Sequence, residues 1–288
     1  LQLVLALLLV GGWLLTCHLG EYGENHDREN REAQLDLAQN TLDAAMETAD
    51  RLVRSLAGSP AFQGLGTGEL IDMTRINSVL DRYSSVITGS ICYLMDLNGV
   101  TLASSNRGEP ASFVGNCYAA RPYFKDALEG KPGHYIAVGM TSKLPGYYAS
   151  FPVRNGAGVI VAVAVSKVEL REFPIALSGS EHGFVVDPHG VILVSSLPEH
   201  LLTLLWPIDE ETRRRLIDSG QFPILPDDPL LQEEPGHGMQ YRFGGRDLQV
   251  CRRTSQNREL SIVTLGPMQW AGISRLFGVL ITLLCGVL

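Results

Sequence analysis

The spacing of apolar residues changes character several times along the chain. From Leu1 to Leu19 the sequence is apolar and free of Lys, Arg, Asp and Glu, and Trp270 to Leu288 repeats that character with Arg275 as its one charge. About 20 such residues span a bilayer as a helix, so 1–20 and 268–288 are read as membrane helices that leave everything between them on one side. A secretory signal peptide is the alternative for the first, but no small-x-small cleavage site follows its apolar core. Neither segment has its outer flank in the sequence, so the Lys/Arg asymmetry that would orient the chain is not countable, and the chain reads as a fragment cut near both helices.

Between Glu21 and Ala57 the pattern becomes a seam. Leu35, Ala38, Leu42, Ala45, Ala49, Leu52 and Leu56 recur by threes and fours, and Met46 and Val53 widen the stripe. That spacing predicts a long stalk helix over 21–57, lying along its own core, pairing with a second copy as a homodimer, or both. Gly58, Ser59 and Pro60 end it.

Beyond the stalk the period falls to two and a motif repeats. Tyr93-Leu94-Met95-Asp96-Leu97-Asn98-Gly99-Val100-Thr101-Leu102-Ala103-Ser104-Ser105 returns as Phe184-Val185-Val186-Asp187-Pro188-His189-Gly190-Val191-Ile192-Leu193-Val194-Ser195-Ser196. Each copy is a strand, a tight turn with a glycine suited to positive φ, and a second strand. A repeat so widely spaced means duplicated domains, not a solenoid. After the first copy the pattern predicts a helix over 118–129, then strands over 134–139, 146–153 and 159–168. After the second it predicts short helices over 199–205 and 209–220, then strands over 238–243, 247–254 and 259–265. The fold class is therefore α+β: two five-stranded antiparallel sheets with helices on one side, a distal module over 58–177 and a membrane-proximal one over 178–267.

Composition removes several functions. The chain has 288 residues, 45% hydrophobic and 19% charged, which excludes disorder; its net charge of −8 argues against a nucleic-acid surface. The basic run Arg213-Arg214-Arg215 falls in a helical stretch and reads as a solvated face. Cys92, Cys117 and Cys251 show no metal-ligand spacing; a Cys92–Cys117 bridge is one reading and buried free thiols are the favoured one. Gly64-Leu65-Gly66-Thr67-Gly68 follows no strand, so it is a cap and not a dinucleotide loop.

The chemistry gathers between residues 118 and 167. Tyr118, Arg121, Thr141, Ser142, Tyr148, Ser150 and Lys167 suit the gripping of a small carboxylate, with no paired nucleophile and base beside them. Arginine matches a carboxylate two-for-two, and hydroxyls orient the remaining oxygens. Strand alternation puts Lys167 at the end of an apolar row with Val161, Val163 and Val165, where it needs an anionic partner; Glu169 is the alternative to a ligand. Arg121 before Pro122 is either a ligand residue or a surface partner of Asp126. Tyr148 and Ser150 share one face of their strand and Tyr147 takes the other, without indicating which tyrosine faces a pocket. Thr141 and Ser142 serve equally as turn residues before Pro145-Gly146. Asp96, Gly99, Ser104 and Ser105 belong to the hairpin, since they recur in the second copy.

These residues carry a resemblance. The long helix and twin hairpin-led modules resemble the double Cache sensor, a tandem of PAS-like domains outside the bacterial inner membrane. Asp96-Leu97-Asn98-Gly99, Ala103-Ser104-Ser105-Asn106, Ser112-Phe113-Val114-Gly115, Arg121-Pro122-Tyr123-Phe124, Thr141-Ser142 and Pro145-Gly146-Tyr147-Tyr148 are similar to the C4-dicarboxylate sensor histidine kinases. The resemblance implies a dicarboxylate held by Tyr118, Arg121, Thr141, Ser142 and Lys167 in the distal module, residues 21–267 in the periplasm, and a kinase core past the second membrane helix that would use ATP and magnesium and signal to a response regulator. No catalytic motif or cofactor site falls within this segment. A chemotaxis receptor or diguanylate cyclase sensing another small acid shares the same plan.

Overall fold

The computed structural model describes residues 2–66, 71–172, 182–236, 238–255 and 260–267, without the side chains of 2–9, 15–17 and 19–28. One helix, α1 (Gln2–Ala57), runs from the apolar start through the stalk without a break. The expected membrane helix at 268–288 lies outside the described residues, and among those described no helix is long and apolar enough to cross a membrane.

The distal module follows as α2 (Met73–Ser84), β1 (Ser90–Met95), β2 (Thr101–Ser104), α3 (Pro122–Leu128), β3 (Gly133–Val138), β4 (Pro145–Arg154) and β5 (Ile160–Glu169). Its strands order β2-β1-β5-β4-β3, all antiparallel. The proximal module is β6 (His182–Val186), β7 (Ile192–Ser195), α4 (Glu210–Asp218), β8 (Gln240–Phe243), β9 (Arg246–Thr254) and β10 (Ser261–Pro267), ordered β7-β6-β10-β9-β8. The two sheets therefore have one topology, and even the register shift in the leading hairpin falls at the same place, Leu94/Met95 and Val185/Val186.

The repeated motif does the same work twice. Asp96 Oδ1 accepts the N–H groups of Asn98 and Val100 at 2.9 and 2.8 Å, and Asp187 Oδ1 those of His189 and Val191 at 2.9 and 2.7 Å. Gly99 and Gly190 stand at φ 80° and 81°, which a side chain resists. Ser105 and Ser196 accept the N–H of Cys92 and Gly183 across the hairpin. All three positions are structural, as their recurrence implied.

The stalk seam is consumed inside the chain. Leu35, Ala38, Leu42, Met46, Ala49, Leu52, Val53 and Leu56 are buried in one cluster with Leu94, Ala149, Ala162 and Ala164 of the distal sheet and Val185, Cys251 and Ile262 of the proximal one. Each fully buried Leu or Met there stabilises by roughly 1.5–3 kcal/mol. One helix thus serves as spine to both sheets, and packing within the chain accounts for the widened stripe without a second copy.

Three expectations change. Helices flank both faces of the distal sheet, not one: α1 and α2 cover one face, while Tyr123, Phe124 and Ala127 of α3 pack on the other with Tyr93, Val163 and Val165. The helix expected over 118–129 begins at Pro122, because Tyr118 N–H donates to Gly99 O at 2.8 Å and its neighbour Cys117 bridges Val100. Proline then holds Arg121 extended, at φ −71° and ψ 135°. Over 199–205 only a turn at Pro198–His200 is helical, because Leu202 N–H and Thr203 O pair with Ile192. Cys92, Cys117 and Cys251 are free thiols; Cys92 and Cys251 are buried, Cys117 is exposed, and burial pushes the Cys92 thiol up to about 12.

Candidate ligand-binding site

The face of the distal sheet turned away from α1 is lined by Tyr93, Tyr148, Val163 and Val165, since alternate residues of β1, β4 and β5 point there. Aromatic rings close over it. Tyr123 stacks on Tyr148 with centroids 5.2 Å apart and planes at 4°, Phe113 meets Tyr93 edge-on at 5.4 Å, and Tyr118 lies 6.0 Å from Phe113. The Tyr93 and Tyr123 hydroxyls bond at 2.8 Å. Burial holds the phenols of Tyr93, Tyr123 and Tyr148 well above their usual range, so all three stay protonated and able to donate.

The mouth is the β3–β4 turn. Gly139 N–H donates to Leu144 O and Lys143 N–H to Gly139 O, both at 2.9 Å, with Lys143 at φ 59°. A Cβ on Gly139 would stand 2.3 Å from Ser142 Oγ and 3.0 Å from the Tyr148 hydroxyl, so a glycine is needed for the turn to lie this close. Thr141 and Ser142 are turn residues, and Thr141 is a wall residue as well. Thr141 Oγ1 lies 3.0 Å from the Tyr118 hydroxyl, and Ser142 Oγ accepts from Lys167 Nζ at 2.7 Å. The walls, which include Tyr118, Arg121, Thr141 and Tyr148, enclose about 10 Å³. That is room for about one water, so a small acid is admitted only when a wall moves.

Two buried cations stand at this site. Arg121, 6% exposed, donates through Nη1 to Gly220 O at 3.1 Å and through Nη2 to Val138 O at 3.2 Å, with its guanidinium 5.7 Å from the Tyr135 ring centre. Among the described residues no carboxylate pairs with it, so the surface pairing with Asp126 is not made. Lys167 is fully buried opposite Tyr148 in the β4–β5 ladder. Its Nζ donates to Ser142 and, at 3.3 Å, to Glu169 Oε1, and sits 6.0 Å from the Phe113 ring centre. Burial pushes the ammonium pKa down and Glu169 pulls it partly back. Glu169 also accepts from Arg171 at 2.9 Å, so it does not depend on Lys167 alone.

The seven residues singled out in the sequence separate here. Tyr118, Arg121, Thr141 and Tyr148 wall the cavity; Ser142 and Lys167 bond to each other but do not line it, Lys167 lying against the wall residue Phe113. Ser150 is not brought in: its buried Oγ donates to Tyr123 O at 2.6 Å, tying α3 to the sheet. Tyr147 faces the other way, donating to Asp50 of α1 at 2.5 Å with His134 Nδ1 2.9 Å away. Sequence reading missed Tyr93, Phe113 and Tyr123 as walls. The available signal was the hydroxyl that separates Tyr93 from Phe184 in an otherwise matched repeat.

The proximal module has the same frame with hydrocarbon at four of the matching positions. Aligning the ladders puts Phe184 at the place of Tyr93, Val250 at that of Tyr148 and Leu265 at that of Lys167. Leu205 takes the place of Tyr118, its N–H donating to Gly190 O as that of Tyr118 does to Gly99 O. All four are buried in a cluster with Trp206, Leu231 and Val263. At these four positions the distal module keeps hydroxyls and an ammonium and its twin packs hydrocarbon, although Arg252 lies over Trp206 and bonds the buried Ser261 nearby.

Two hairpin-led, five-stranded modules behind one long helix define the double Cache class of sensor region. No protein-family model matches the chain. The C4-dicarboxylate transport sensor protein DctB of Rhizobium meliloti (strain 1021) is 34% identical over 195 residues, 66% of this chain and 31% of that protein. A crystal structure of the V. cholerae histidine kinase DctB sensor domain superposes with a TM-score of 0.75 at 26% identity, covering 83% of this chain and 96% of that one. The ligand-binding domain of the Campylobacter jejuni chemoreceptor Tlp3, solved with L-valine, shares the fold alone, at TM-score 0.59 and 15% identity over 88% and 98% of the two chains. The sequence and structural matches together show a sensor region of the DctB type. The chain spans about a third of the length of the curated relatives it matches.

Proposed function

We propose that the chain is the extracytoplasmic input region of a membrane-bound sensor histidine kinase, and that its distal module binds a C4-dicarboxylate such as succinate, fumarate or malate. Tyr118, Arg121, Thr141, Ser142, Tyr148 and Lys167 form the grip. The observation that carries this reading is a pair of buried cations beside one small cavity, Arg121 bonded to carbonyls and the Tyr135 hydroxyl with no carboxylate among the described residues, and Lys167 only partly balanced by Glu169. Buried charge is costly unless paired, and two cations suit a ligand with two carboxylates. The DctB relatives, named as C4-dicarboxylate transport sensors, support that ligand class over the amino acids named for the chemoreceptor neighbours.

In this reading the acid lifts the 139–144 turn and takes up the donors of Tyr118, Thr141, Ser142 and Lys167. Residues 21–267 lie in the periplasm between helices in the bacterial inner membrane, α1 carries the change toward the bilayer, and the kinase core acts on a response regulator as a homodimer. The ligand moves the signalling equilibrium only by its preference for one of the two states. A thermal-shift screen of the full chain against succinate, fumarate, malate, malonate and acetate tests the proposal. It predicts stabilisation by four-carbon diacids beyond that by acetate; no shift with any diacid contradicts it.

A further inference from the structure

The distal sheet ends at β3, and on an edge strand every second residue turns both its N–H and C=O outward. His134, Ile136 and Val138 are those residues, and the proximal module covers the last two. Val138 N–H donates to Gln221 O at 2.9 Å and Gln221 Nε2 donates to Ile136 O at 3.0 Å. The same turn, Ser219 to Phe222, closes α4, with Gly220 at φ 68° and Phe222 fully buried. Arg121 completes the joint: one guanidinium holds Val138 O of the distal module and Gly220 O of the proximal one.

Arg121 is also a wall of the acid cavity. A guanidinium has five N–H donors; two carbonyls and the Tyr135 hydroxyl engage three here, which leaves donors for a carboxylate. Among the described residues its charge faces carbonyl dipoles and the hydroxyl and ring of Tyr135, and no carboxylate. A bound carboxylate would supply the missing counter-charge, fix the planar fork and so firm the bonds the fork already makes. We propose that Arg121 couples the pocket to the proximal module directly: an acid bound in the distal cavity tightens the docking of the Ser219–Phe222 turn on β3. This route is separate from α1, which packs on the opposite face of the sheet. It rests on the acid-binding reading given above.

Coupling between sites is reciprocal, so loosening the turn must weaken the acid by the factor with which the acid tightens the turn. Gln221→Ala removes one bond of the joint and touches no wall of the cavity. In the full 288-residue chain, titration with succinate is expected to show about twofold to tenfold weaker binding in that variant, the range of one hydrogen bond. Hydrogen exchange on the unsubstituted chain is expected to slow at the Val138 and Phe222 amides when succinate is added. A merely structural joint would protect them equally with and without acid. Succinate binding that Gln221→Ala leaves unchanged, with acid-independent exchange at both amides, overturns the coupling alone; binding of no acid at all overturns it together with the proposed function.

Discussion

The distal and proximal modules share strand order, hairpin register and the Asp-x-x-Gly turn, yet at four matching inner positions one carries hydroxyls and an ammonium and the other hydrocarbon. Lys167 and Leu265 occupy the same rung of the two ladders, as do Tyr148 and Val250, and Tyr93 and Phe184. Since a hydrocarbon filling supports this frame, nothing in the fold requires the ammonium and hydroxyls of the distal copy. Their place there needs another reason, and a ligand supplies one. The proximal copy is filled by Trp206, Leu205 and Leu231, which in the proposed function leaves it the part of transmitter.

Exchanging residues between the copies tests this difference. Leu265→Lys puts a charge into a fully buried apolar cluster, and should destabilise the chain by about 3–5 kcal/mol, read as a lower urea midpoint. The reverse exchange, Lys167→Leu, should lower dicarboxylate affinity by about 2–4 kcal/mol in titration calorimetry. Stability should hold or rise, because hydrocarbon replaces a buried cation and Glu169 keeps Arg171. Stability loss without affinity loss would make Lys167 structural.

The hairpin aspartates differ in a way that pH reveals. Asp96 has a neighbour for its second oxygen, Asn98 Nδ2 at 3.4 Å, whereas Asp187 Oδ2 is buried with no hydrogen-bond partner among the described residues. Burial raises the Asp187 pKa from 3.8 to about 7. The folded chain therefore binds that proton more tightly than the unfolded one. Its contribution is full below the unfolded value and is lost as pH rises through about 7. Unfolding free energy should fall by roughly 2–4 kcal/mol across that window, and Asp187→Asn should flatten the fall. A slope that the substitution leaves intact would assign the pH dependence elsewhere. The smallest effect is expected from Ser150→Ala, which leaves Tyr123 O without its donor and should cost about 1–2 kcal/mol of stability while acid affinity holds. A large affinity loss would return Ser150 to the pocket.

Periodicity carried much of this architecture. Alternation alone aligned Lys167 with Val163 and Val165 and separated Tyr147 from Tyr148, because a strand has only two faces. The stalk seam was legible for the same reason, although its partner was not: a stripe reads alike whether it meets a sheet of its own chain or a second copy. What stayed hidden were the pairings made through space. Arg121 meets Gly220 across 99 positions, and nothing local predicts it. Ser150 shows an unassigned hydroxyl in the sequence, but the carbonyl that takes it belongs to a helix placed by Pro122. Residues 202–205 followed hairpin pairing with Ile192 and overrode a weak helical pattern.

Titration calorimetry of the full chain with succinate, performed beside Lys167→Leu and Leu265→Lys, tests the division of labour most directly. The account predicts one acid per chain, binding weakened by at least about thirtyfold in Lys167→Leu, and one acid still bound by whatever fraction of Leu265→Lys remains folded. Two acids per chain, or a single acid that Lys167→Leu binds as tightly as the unsubstituted chain, would contradict it.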